Sequence, residues 1–196
     1  MERIEKKTSA DYLISTWSGG QTIEILVEPD SSHLAQRDFE FRLSTATVTT
    51  DRSEFSDFTG YQRILLSLDR SISLVQSGCW IDLKAFEPYS FDGKLPTICY
   101  GKCQDFNVIY KDGYDVSVQI LKERQVILPQ TTAVIYALAD SSLLLSGDNT
   151  QRQGLLKNET LILKNQTALQ VELLSSRKQP LTNSAILTTI KKQSRR

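Results

Sequence analysis

The sequence predicts an all-β protein, and three observations carry that expectation. Short runs rich in valine, isoleucine, leucine and aromatic residues recur along the chain. Turn formers separate them, at Ser18-Gly19-Gly20, Glu28-Pro29-Asp30, Asp112-Gly113 and Ser146-Gly147-Asp148-Asn149. No stretch has the period of a helix longer than two turns, and Asp51–Asp57 is expected to be a single turn. Strands punctuated in this way argue for a sandwich or barrel rather than for βαβ units.

Taken in order, the first strand is expected at Thr22–Glu28, after the glycine turn. The second, Phe39–Thr49, is the most informative segment of the chain. Strand side chains alternate, so Phe39, Phe41, Leu43, Thr45 and Thr47 take one face, and Glu40, Arg42, Ser44, Ala46 and Val48 the other. A guanidinium beside Ala46 and Val48 either snorkels to the rim or sits in an enclosed polar cavity, where its donors need carboxylates or a ligand. Arg63–Leu68, Ile72–Gln76 and Trp80–Lys84 follow, then Phe106–Tyr110 and Val116–Leu121. The last four expected strands are Ala133–Ala139, Ser142–Leu145, Thr160–Leu163 and Ala168–Leu174.

Two stretches repeat each other about seventy residues apart. Arg63–Leu68, Ser71–Val75, Gly78, Ile81–Leu83 and Phe91 match Ala133–Leu138, Ser141–Leu145, Gly147, Leu155-Leu156 and Leu161–Leu163. Each reads as four strands joined by turns. Two such units imply a double-stranded β-helix, or jelly-roll barrel, in each half: a bicupin. The expected division is residues 1–115 for a first barrel with the candidate pocket, 116–190 for a second, and 191–196 as a basic tail. No Pro/Gly/Ser-rich spacer lies near residue 115, so the barrels are expected to share an interface rather than a flexible linker. Arg42, Arg63 and Asp105 fall in the first half, whereas the second is almost wholly aliphatic. One barrel is equipped to bind, the other to pack.

Composition narrows the function. Lysine plus arginine and aspartate plus glutamate both number 23, so no global field recruits nucleic acid or an anionic membrane. Met1–Lys7 lacks the apolar core of a signal peptide, and the apolar run Ala133–Leu145 is broken by Asp140 and too short to span a bilayer. Cys79, Cys99 and Cys103 are odd in number and irregularly spaced, as expected of reduced thiols in a cytoplasmic protein. The one histidine, His33, lies in a turn-like segment. One histidine cannot make the cluster of a metal centre, a hydrolytic triad would have to use His33 with no nucleophile elbow to support it, and no nucleotide-binding motif appears. No metal, cofactor or catalytic residue is expected.

Four places combine polar and aromatic residues at strand edges. Trp17 precedes the glycine turn, with Glu24 on the side of Thr22. Arg42 and Ser44 share a face. Phe55 lies in a loop that leads to Arg63. Asp105 and Asn107 lie on one side of their strand. Two arginines with aromatic walls suit a small carboxylate, because guanidinium offers a planar two-point fork. Asp105 is expected to hold one guanidinium and leave the other for an anion.

At these residues the chain resembles the HutD/Ves family of small bicupins. The matching stretches are Trp17–Glu24, Arg37-Asp38-Phe39, Arg42–Val48, Ser53–Ser56, Gly60–Arg63, Phe91-Asp92-Gly93 and Gly101–Val108. The resemblance implies a cupin linked in part to bacterial histidine utilisation, with no assigned catalysis and a first-barrel pocket for a formylglutamate-like acid. Carried over by position, it implies Arg42, Ser44, Phe55, Arg63, Asp105 and Asn107 as pocket residues. The chain departs from many relatives at Asp51–Ser56, where they read Asp-Gly-Pro-Phe-Ser, and at Gln62 and Ile109.

The expected function is therefore a non-enzymatic binder of a small carboxylated metabolite, acting as sensor or modulator, with homodimerisation left open. Two alternatives stand beside it. One is a metal-independent isomerase or epimerase using Asp105 or Glu24 as base and Tyr61 or Tyr136 as acid. The other is a structural, partner-binding β protein.

Overall fold

The computed structural model describes residues 3–122, 124–165, 167–174 and 184–193. Among them the regular structure is β, apart from one turn of 3-10 helix at Ser9–Asp11. The chain opens with β1 (Arg3–Lys7), β2 (Leu13–Trp17), β3 (Gly20–Glu28), β4 (Phe41–Val48), β5 (Arg52–Glu54) and β6 (Tyr61–Ser67). Next come β7 (Ile72–Gln76), β8 (Cys79–Leu83), β9 (Tyr89–Asp92), β10 (Thr97–Tyr100) and β11 (Cys103–Lys111). The remainder comprises β12 (Tyr114–Ile120), β13 (Arg124–Ile127), β14 (Thr131–Ala137), β15 (Ser141–Ser146), β16 (Thr150–Leu155), β17 (Thr160–Asn165), β18 (Leu169–Leu174) and β19 (Ala185–Lys192).

The strands form two compact units. The first spans Tyr12–Asp112 and consists of a six-stranded sheet, β2-β3-β4-β11-β6-β9, and a four-stranded one, β5-β10-β7-β8. The second takes the remaining strands as β1-β17-β14-β19-β12 and β13-β18-β15-β16. Adding eight to each label of β4-β11-β6-β9 gives β12-β19-β14-β17, and the same shift turns β5-β10-β7-β8 into β13-β18-β15-β16. The repeat legible in the sequence is thus a repeat of topology, two cupin barrels in one chain.

Three segments differ from the expected layout. β1 belongs to the second unit, not to a first barrel beginning at residue 1: it pairs antiparallel with β17, and the first unit starts at Tyr12. Ile4 is partly buried against the second core, and Lys6 Nζ meets Glu159 Oε2 at 2.6 Å. A strand with one apolar side chain among four charged ones carries too little periodicity to announce itself. Arg52–Glu54, read as part of a turn, is the strand β5, whose backbone pairs with Tyr100–Ile98 of β10. The basic tail begins inside β19, where Lys191 and Lys192 pair with Asp115 and Tyr114; residues 194–196 lie outside the described residues.

The second barrel is filled with aliphatic side chains, including Leu121, Ile135, Leu143, Leu161, Val171 and Leu187, all essentially inaccessible. In the first barrel two smaller clusters flank a polar interior. One holds Leu65, Leu74 and Phe91, the other Phe39, Phe58 and Tyr61. That division leaves room for a pocket.

Candidate functional site

The pocket is built on three neighbouring strands. Register places Arg42 of β4 opposite Ile109 of β11, and Ile109 opposite Arg63 of β6. One step along, Ser44 faces Asn107; two steps along, Ala46 faces Asp105. The period-two alternation of strands therefore puts Arg42, Ser44, Asp105, Asn107 and Arg63 on one interior surface. They line a cavity of about 400 Å³. Phe55, just beyond β5, and Trp17, at the end of β2, line it as well. All seven residues singled out from the sequence border this one space.

Trp17 owes its position to a hairpin. It pairs with Gly20 across the Ser18-Gly19 turn, and its indole Nε1 donates to Thr22 Oγ1 at 3.2 Å. The ring lies close to Gly19, where a Cβ would stand 2.1 Å from Trp17 Cζ3. Gly20 presses against β4 so closely that a Cβ would lie 1.9 Å from the carbonyl oxygen of Thr47. Gly20 is required by this approach to backbone, whereas a side chain at Gly19 would have to displace the Trp17 ring.

The two arginines have different roles. Arg42 is held: Nε donates to Glu24 Oε2 at 2.5 Å and Nη1 donates to Ser44 Oγ at 3.0 Å. This corrects the expectation that Asp105 clamps a guanidinium. In the β3–β4 ladder Glu24 sits opposite Ser44, so its carboxylate reaches diagonally to Arg42. Arg63 is not held. It is buried, no carboxylate oxygen of the described residues lies within 4.0 Å of its nitrogens, and Nε has no acceptor. Aromatic rings surround it, with Cζ 4.5 Å from the Phe55 centroid, 5.3 Å from Phe91 and 5.7 Å from Phe58. Cation–π attraction offsets part of the lost hydration. Burial still pulls the guanidinium down to about 10, with Asp105 opposing and Arg42 reinforcing the shift.

Asp105 is the other unusual group. Burial drives its carboxyl up to about 7, while Arg63, the Ala46 backbone N–H and Arg42 pull the other way. Its neighbours Cys99 and Cys103 are free thiols, buried and held protonated, pushed up to about 11 and about 12 by burial and by the Asp105 charge.

Neither tyrosine of the isomerase alternative borders the cavity. The Tyr61 hydroxyl points at the carbonyl oxygens of Arg37 and Phe39, at 2.6 and 2.9 Å. Tyr136 belongs to the second unit, where its hydroxyl donates to Asn158 Oδ1 at 3.1 Å. His33 is exposed in a turn, and no cluster of three or more metal-ligating side chains occurs among the described residues. The donor set does not fit a metal centre.

Sequence reasoning missed the Glu24–Arg42 pair and the contributions of Phe58 and Phe91 to the aromatic ring around Arg63. Glu24 was legible as a polar strand residue, but its partner depends on pairing across β3 and β4. Phe91 reaches Arg63 because β9 lies beside β6, where the two residues are directly opposed.

Comparisons with known proteins agree with this architecture. A HutD protein from Pseudomonas fluorescens SBW25, solved in a formate condition, superimposes with a TM-score of 0.76 at 23% identity, covering 98% of this chain and 100% of that one. A conserved protein of unknown function from Pseudomonas aeruginosa PAO1 gives 0.78 at 23% identity, with the same 98% and 100% coverage. Oxalate decarboxylase from Bacillus subtilis, a protein with Mn(II) centres, gives 0.61 at 7% identity, covering 97% of this chain and 78% of that one. At such identities the likeness establishes the shared fold alone. A comparison with curated proteins found no match. The HutD family model matches residues 9–179, most of the chain. The two-barrel protein that carries this pocket belongs to the HutD family.

Proposed function

We propose that the chain is a metal-free cytoplasmic cupin whose first barrel binds a small carboxylated metabolite, a formylglutamate-like acid. It would act as a sensor or modulator of amino-acid utilisation, histidine included, or of a stress response, and not as a catalyst. Arg63 carries the reading. A buried guanidinium with no acid of the described residues within 4.0 Å, at the wall of a cavity of about 400 Å³, is costly without a counter-charge and well placed to receive an anion. The fork of Arg63 and the Asn107 amide supply polar contacts, and Phe55, Phe58 and Trp17 supply apolar walls. An isomerase would need a second acid–base group, and neither tyrosine named for that role borders the cavity. Balanced charge and three free thiols support a cytoplasmic metabolite binder over one directed to nucleic acid or membrane.

The test is a thermal-shift and calorimetric screen with formate, succinate, glutarate, N-acetyl-L-glutamate and N-formyl-L-glutamate. A ligand bound only by the native state must raise the unfolding temperature. At least one acid is expected to do so at millimolar concentration, and Arg63→Ala should weaken it by about 2–5 kcal/mol. Absence of stabilisation by every acid would sink the reading.

A further inference from the structure

We propose that anion capture in the first barrel is coupled to proton uptake by Asp105, so that the pocket takes up a carboxylate together with one proton and releases it as pH rises above neutrality. This rests on the reading of the pocket as a carboxylate site and adds the rule by which that site is regulated.

The arrangement of charges leads there. Asp105 on β11 faces the cavity alongside Arg63 on β6 and Arg42 on β4, and forms an ion pair within 4.0 Å with neither. Arg42 is already neutralised by Glu24 of β3 at 2.5 Å. Among the described residues Arg63 is therefore the one cation lining the cavity that lacks a carboxylate in contact, and its field opposes the rise that burial imposes on Asp105. Two further ionisable groups surround Asp105, Cys99 on β10 and Cys103 at the start of β11. Both remain neutral thiols well beyond neutral pH. Asp69, whose charge reaches Cys103, lies in the exposed turn after β6. Glu54 also borders the cavity, but it is exposed and paired with Arg52 at 2.7 Å, so Asp105 is the one buried carboxylate among the described lining residues.

An arriving carboxylate that engages Arg63 removes the support for the Asp105 anion. It also places a like charge in the same enclosed space. Both effects raise the affinity of Asp105 for a proton. With Asp105 neutral, the pocket holds one uncompensated positive charge, which the ligand cancels. With Asp105 ionised, the same ligand would leave a net negative charge away from bulk water. Because the empty pocket already holds Asp105 close to its midpoint at neutral pH, a modest push completes the protonation. No covalent step is involved; the proton comes from solvent and returns to it on release.

The test is isothermal calorimetry of the full chain with formate and N-acetyl-L-glutamate, both ionised throughout the range used. Titrations run at about pH 7.5 in two buffers of different ionisation enthalpy, and again across about pH 6–9. The expected result is uptake of up to one proton per ligand. Affinity should fall by up to about tenfold per pH unit above neutrality. Asp105→Asn, which resembles the protonated acid, should bind more tightly than wild type at about pH 8.5 and lose the pH dependence. Binding with no proton uptake and a flat pH profile would overturn the coupling while leaving the carboxylate site standing. A pH dependence that persists in Asp105→Asn would overturn the assignment to Asp105. No binding of either acid from pH 6 to 9 would overturn the carboxylate reading as well.

Discussion

Asp105 sits in surroundings that favour the neutral acid, and this has a consequence for stability. In the unfolded chain it ionises near 3.8, whereas in the folded barrel it holds its proton to about 7. Between those values the native state binds more protons, so unfolding free energy falls as pH rises through that window and levels off above it. The total is on the order of 4 kcal/mol at most. Asp105→Asn should therefore stabilise the protein at neutral pH by a few kcal/mol and flatten the decline between about pH 4 and 7. Urea unfolding at about pH 4.5 and 7.5 checks both. The opposite holds for Glu24. Its carboxylate is 15% exposed and bound to an arginine that is 6% exposed, so Glu24→Gln leaves a buried cation without its counter-charge. A loss of about 3–5 kcal/mol is expected at neutral pH, measurable in the same unfolding experiment. At this scale much could be read from the chain, because strand parity alone pairs Arg42 with Ser44 and Asp105 with Asn107. What could not be read was which acid neutralises which base.

Elements differ in how plainly they declare themselves. β6, β7, β14 and β15 are dense in β-branched and leucine residues, and the sequence placed each within two residues of its observed ends. β1, β5, β13 and β16 are short or polar, with most of their side chains at least partly in solvent, and their existence depends on a partner's backbone. β1 is the sharpest case, because its hydrogen bonds go to β17, about 160 residues away in sequence. Deleting residues 1–7 should uncover the edge of β17, remove the Lys6–Glu159 contact and lower stability by about 1–3 kcal/mol. Since those residues belong to the second unit, ligand affinity in the first barrel should be unchanged, and calorimetry on the truncated chain would show it. Gly20 makes the complementary point in the first barrel. Gly20→Ala would drive a methyl into the Thr47 carbonyl and disturb the hairpin that carries Trp17, so both stability and ligand affinity should fall.

For the whole molecule, the repeated topology allows position-by-position comparison of two interiors. β14 matches β6 residue for residue, so Ala133 stands where Arg63 stands. Through the equivalent ladders, Ala185 takes the place of Asp105 and Leu187 that of Asn107. The same scaffold is aliphatic in one copy and polar in the other. Ala133→Arg should therefore be severely destabilising, by several kcal/mol, since Ala133 is fully buried in a cluster of aliphatic side chains. Arg63→Ala, by contrast, removes a buried charge that has no ion-pair partner among the described residues; it should leave folding intact while weakening anion binding by about 2–5 kcal/mol. Comparing the two variants by urea unfolding tests whether one barrel is devoted to binding and the other to packing.

Sequence alone was enough for the β class, the internal repeat and the parity that puts Arg42 with Ser44 and Asp105 with Asn107. Each follows from local periodicity, and alternation along a strand needs no knowledge of its neighbours; that these residues join Phe55 and Arg63 in one pocket was implied by the resemblance to the HutD/Ves family. The repeat also showed which half could hold charge, because only the first carries arginines and an acid on interior positions. Tertiary structure decided the rest: that β1 crosses to the second unit, that Glu24 rather than Asp105 neutralises Arg42, and that Phe55, Phe58 and Phe91 close around Arg63. Those outcomes depend on strand order and register between segments distant in sequence. They also depend on burial, which turns an ordinary aspartate into an acid poised near neutrality.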